Sequence, residues 1–146
     1  MNVDIEKIAR YLMEIKSRGY DLNRLLAGST DAALLNDPWK LKGMKYTLVE
    51  IAEAMANTLQ HILVKNTGEP VTGYVETILR AGEKDILSSE IVRKLKPFFD
   101  FRNSLIHRYW IISDEKLLSL TRENLADFDV FVQAIEDYLK ASRTPL

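Results

Sequence analysis

The chain has 146 residues, 47% of them apolar and 28% charged, and no cysteine. That suffices for one domain with its own core, over residues 1–146, and it excludes thiolate nucleophiles, Cys-ligated zinc and iron–sulfur clusters. Twenty basic against twenty-one acidic residues leave a net charge of -1, so any nucleic-acid contact has to come from a local basic site and not from the surface as a whole.

Helical periodicity runs through the chain. Ile5, Ile8, Leu12 and Ile15 follow one helix face behind Asp4 as N-cap, and Leu22, Leu25 and Leu26 resume it past Gly19 up to a stop at Gly28. Asp37 can cap the next helix, with Pro38 at its first position. Leu41, Met44, Leu48, Ile51, Met55, Thr58 and Ile62 then make a near-heptad seam suited to packing on a partner helix. Asn66 to Thr72 is rich in turn residues. A short helix is expected from Tyr74 to Ala81, ended by Gly82, and Ser88 or Ser89 can open another in which Ile91, Leu95 and Phe98 face inward. Pro97 removes a backbone donor inside that segment, which predicts a kink or restart there. Thr121 can cap a last helix carrying Leu125, Phe128, Val132, Ile135 and Leu139. No run alternates as a strand would. The expected fold is all-α: an up-and-down bundle of four long helices plus short ones. No apolar run approaches the roughly 20 residues of a membrane span, and the acidic, periodic start MNVDIEKIAR is unlike a signal peptide. A cytoplasmic protein without membrane association is the expectation.

Several chemistries fail on pattern. The glycines form neither a dinucleotide fingerprint nor a phosphate loop, and there is no serine nucleophile elbow. His61 and His107 have no metal-ligand partner at helical spacing, and Asp127 and Asp129 fall on different helix faces. A metal-dependent hydrolase is therefore not expected. What remains is the stretch RKLKPFFDFRNSLIHRY, where Arg93, Lys94, Lys96, Arg102 and Arg108 face one acid, Asp100. Histidine can take and give a proton near neutral pH, and the arginine fork matches a phosphate. Arg102 and His107 thus supply the minimum for metal-free phosphodiester chemistry, and RNA brings its own 2′-hydroxyl nucleophile. At about 100° per residue Asn103 and His107 stand one turn apart on nearly one face, whereas Tyr109 falls about 200° from His107. With one such histidine per chain, two copies across a twofold axis would supply base and acid together, an argument for a homodimer, although one histidine could serve both roles in turn. On the same stretch Phe98, Phe99 and Phe101 read as core rather than as base-stacking platforms. Lys94 and Lys96 read as solvated surface, and His61 as a core or interface histidine.

At FRNSLIHRYW the chain closely resembles the HEPN superfamily and, more narrowly, its HepT-like branch, whose pattern is Arg, four residues, His, one residue, Tyr. Arg102, His107 and Tyr109 match it, with Asn103 as the polar second residue. The resemblance extends to the helix ending NTLQHIL, to GEPVTGYVETI and to FDVFVQAIEDYL. It implies an all-helical dimer with the motif lining an interface cleft, acting as a metal-independent endoribonuclease toxin of a type VII-like toxin–antitoxin pair, without a cofactor. The implied partner is a minimal nucleotidyltransferase of the MntA type that silences the toxin by adenylylating the motif tyrosine. Carried over, Arg102 would hold and polarise the scissile phosphate, His107 would transfer protons, Asn103 would orient the phosphate or the ring, and Tyr109 would be modified. Arg108 adds positive charge beside it. Two alternatives stand beside this reading. One is a non-catalytic HEPN module that binds nucleotide or RNA or docks a nucleotidyltransferase; the other is a structural helical dimer in which Arg102 pairs with Asp100 or a neighbouring acid.

Overall fold

A computed structural model describes residues 3–107 and 113–143, with the side chains of 104–107 and 143 left aside. Seven helices lie among the described residues: α1 (Ile5–Ala27), α2 (Asp31–Leu35), α3 (Pro38–Thr67), α4 (Tyr74–Glu83), α5 (Ser89–His107), α6 (Asp114–Asn124) and α7 (Asp127–Arg143). Each boundary has a local cause. Asp4 accepts from the Lys7 amide at 3.1 Å, Asp37 from the Trp39 and Lys40 amides at 3.1 Å ahead of Pro38, and Ser113 from Lys116 at 3.2 Å. Gly68 ends α3 in the left-handed region, φ 76°, and its amide closes on the Val64 carbonyl.

The long helices α1, α3, α5 and α7 form a ring in which α3 packs on α1 and α5, and α7 packs on α5 and α1. Opposite ends meet along α1 and α3, since the Asp4 amide at the start of one donates to His61 near the end of the other. This is the expected four-helix bundle, with α4 added against α3 and α5 and α6 joining α5 to α7. The whole α3 seam is buried, including Thr58, whose hydroxyl donates to the Ala54 carbonyl at 2.8 Å. Phe98, Phe99 and Phe101 are buried as core residues, and Phe98 meets Phe128 of α7 with ring centroids 5.2 Å apart. No helix among the described residues is long and apolar enough to cross a membrane.

Four local expectations are corrected. Gly82 does not stop α4, which continues to Glu83; a Cβ there would come within 3.0 Å of Val92, so this glycine admits the close approach of α5. Thr121 lies inside α6 and caps nothing: its hydroxyl bonds back to the Leu117 carbonyl at 2.7 Å. α7 begins at Asp127, which leaves Leu125 at the end of α6. At Pro97 there is no restart, because α5 runs through it as one helix.

Candidate active site

The Arg102 side chain leaves α5 inward, between α3 and α4. Its Nη2 donates to Glu53 Oε1 of α3 at 2.7 Å, and the guanidinium carbon lies 4.1 Å from the centre of the Tyr74 ring at the start of α4. The residue is 9% exposed, and its buried Nε has no hydrogen-bond partner among the described residues. Three elements therefore fix one planar cation: a carboxylate at one edge, a ring on one face, and the helix that bears it. Burial pushes the Tyr74 hydroxyl above its ordinary value against the opposing pull of Arg102, so Tyr74 stays neutral beside the guanidinium.

Asn103 follows on the exposed side of α5, one turn before the His107 backbone. The His107 side chain, Arg108 and Tyr109 lie outside the described residues. Lys94 reaches Glu90 at 3.5 Å and Asp127 at 3.9 Å, and Lys96 reaches Asp100 at 3.0 Å, which fits the surface role expected of both. Asp100 is thus the partner of Lys96, while the acid on Arg102 is Glu53. His61 is half-buried, and its Nε2 accepts the Asp4 amide at 3.0 Å, a satisfied structural histidine. Among the described residues no three His, Asp or Glu side chains converge as a metal site.

Sequence spacing missed Glu53 and Tyr74. Glu53 is 49 residues from Arg102, beyond the reach of any helical repeat. Its one visible signal was a lone carboxylate inside the small-residue run Ala52, Glu53, Ala54, flanked on both sides by core positions.

A family profile described as Ribonuclease HepT-like matches residues 1–135. A candidate RNase of Archaeoglobus fulgidus is 31% identical over 103 residues, 70% of this chain and 77% of the relative. The tRNA nuclease HepT of Aphanizomenon flos-aquae is 28% identical over 90 residues, 61% of this chain and 60% of its own length. Among solved structures, the tri-AMPylated HEPN toxin of Shewanella oneidensis, in complex with its MNT antitoxin, superposes with a TM-score of 0.80 at 17% identity, over 94% of this chain and 99% of that one. That superposition shows a shared fold.

Proposed function

The chain belongs to the HepT-like ribonuclease family, and from that premise we propose that it is a metal-independent endoribonuclease, the toxin of a toxin–antitoxin pair, silenced by adenylylation of Tyr109. The observation that carries this reading is the fixed Arg102 cation, five residues ahead of His107 on one helix, within the stretch the family profile matches. Glu53 and Tyr74 hold the guanidinium without discharging it, since arginine keeps its proton at any working pH. Such a pre-ordered cation stabilises the charge that develops on a phosphate in the transition state without reorganising first.

In the proposed reaction the RNA 2′-oxygen attacks the adjacent phosphorus and the 5′-oxygen leaves. A base takes the 2′-hydroxyl proton and an acid returns one to the leaving oxygen, giving a 2′,3′-cyclic phosphate and a 5′-hydroxyl. His107 is the proton carrier, and a homodimer that apposes two copies supplies both forms at once. Arg102 holds the phosphate, Asn103 orients it, and Arg108 raises the local positive charge. A nucleotidyltransferase partner would transfer the adenylyl group of ATP to Tyr109: the phenol oxygen, losing its proton, attacks the α-phosphorus and pyrophosphate leaves, which places a phosphodiester anion beside the two arginines. The Shewanella toxin of the same fold, AMPylated and bound to an antitoxin, supports that part.

The Arg102–Glu53 ion pair also favours a second reading, in which the arginine is a structural strut. Cleavage of a mixed RNA pool in chelator separates the two. Wild type should cut to cyclic-phosphate ends, and His107→Ala and Arg102→Ala should each lose cleavage while staying folded. Absence of cleavage by unmodified wild type would leave the strut. Tyr109→Phe should cleave and escape the partner enzyme; continued silencing of that variant would end the adenylylation proposal.

A further inference from the structure

Two large aromatic side chains stand out from α3: Trp39 is 79% exposed and Tyr46 66% exposed. They are seven residues apart, and Glu53, the partner of Arg102, is seven further on. Seven residues return a helix to within about 20° of its starting direction after a rise of about 10 Å. Trp39, Tyr46 and Glu53 therefore lie on one line along α3 that ends at the buried arginine.

Positive charge flanks the first part of this line. Residues 38–49 contain Lys40, Lys42 and Lys45 and no acid, in a chain whose net charge is -1. Lys42 Nζ sits 4.9 Å from the centre of the Trp39 ring, and Lys45 reaches Asp114 at 2.8 Å. Glu50, next on the line, is paired with Arg18 of α1, its Oε2 3.2 Å from Nε. Gly43, four residues after Trp39 and three before Tyr46, adds no side chain between the two rings, and a Cβ built there meets nothing within 4 Å. The α3 helix thus presents two exposed aromatic rings in a basic setting, with Lys42 over one face of Trp39.

We propose that this line is a track for single-stranded RNA, with bases stacking on Trp39 and Tyr46 and lysines facing the phosphates on the way to Arg102. Stacking suits such a track because every base has a π face, and flanking cations supply the sequence-independent share of affinity. The continuity with Arg102 rests on the reading of that residue as the phosphate-binding arginine; the stacking surface itself does not.

The test is fluorescence anisotropy with a labelled 2′-O-methyl oligouridine, which cannot be cleaved by internal attack, alongside steady-state cleavage of the unprotected oligomer. Trp39→Leu and Tyr46→Leu should each weaken binding about tenfold, whereas Trp39→Phe, which keeps a π face, should retain most of it. Lys42→Gln should lower the slope of log affinity against log salt by about 0.7. Circular dichroism should be unchanged in every variant, because the replaced side chains point into solvent. RNA affinity that survives both leucine variants overturns the track, and all the more so if those variants instead lose the homodimer or the binding of a nucleotidyltransferase. Aromatic-dependent binding without cleavage of unprotected RNA would end the ribonuclease reading and leave the track. Cleavage at wild-type KM in the double leucine variant would end the track and leave the ribonuclease.

Discussion

Arg102 gains its order from Glu53, and the two are unequally placed, with the arginine side chain 10% exposed and the glutamate 42%. Glu53→Gln keeps the shape and removes the charge. The solvent that reaches Glu53 limits the loss to about 1–3 kcal/mol, the range for a hydrogen bond to a charged group, measurable by urea unfolding. A larger effect on cleavage than on stability would mark Glu53 as a positioning residue for the arginine. His61 offers a test of a different kind. Its Nε2 accepts the Asp4 amide, so protonation breaks the bond. Burial, then Lys7 and Lys65, hold its pKa below 6.5 against the opposing pull of Asp4. Because the unfolded histidine binds a proton more readily than the folded one, this contribution is complete above about pH 6.5 and is lost as pH falls through the folded value. Urea midpoints should therefore drop on acidification below about pH 6.5, and His61→Gln should flatten that part of the profile.

At the scale of the helix, two glycines that both lie inside helices behave differently. Gly43 of α3 has open space where a Cβ would be, so Gly43→Ala should stabilise by about 0.5–1 kcal/mol. Gly82 faces Val92 at 3.0 Å, so Gly82→Leu should cost about 1–3 kcal/mol through overpacking. Thermal melts of the two variants should shift in opposite directions. This difference also shows where sequence reading stops. The Asp37–Pro38 start and the seam from Leu41 to Ile62 were legible because capping and periodicity act within a few residues. Gly82 read as a helix stop because a sequence does not display which helix will approach it. Thr121 read as a cap because a threonine hydroxyl serves equally well at a helix start or bonded back to the carbonyl four residues earlier. For the site, Arg102 and Asn103 were visible in one short motif. Glu53 and Tyr74 come from other helices and meet the arginine only through packing.

Across the whole molecule, the bundle closes on aromatic contacts such as Phe98 against Phe128, which joins α5 to α7. Phe98→Ala should cost about 3–5 kcal/mol, a large share of the 5–15 kcal/mol typical of a domain, and guanidinium midpoints would report it directly. The ring order α1, α3, α5, α7 has a further effect, on the speed with which the chain finds its fold. Each long helix lies beside the next one along the chain, and among the described residues the returns of α7 onto α1 and of α6 onto α2 close the longest loops. Topologies of this kind reach the native state in microseconds to milliseconds, with the entropy of the longest loop met last. Leu139, at the α1–α7 seam, should then be unformed at the barrier. Stopped-flow traces of Leu139→Ala should show faster unfolding at an almost unchanged folding rate, which makes the last helix the one that sets how long the native protein persists.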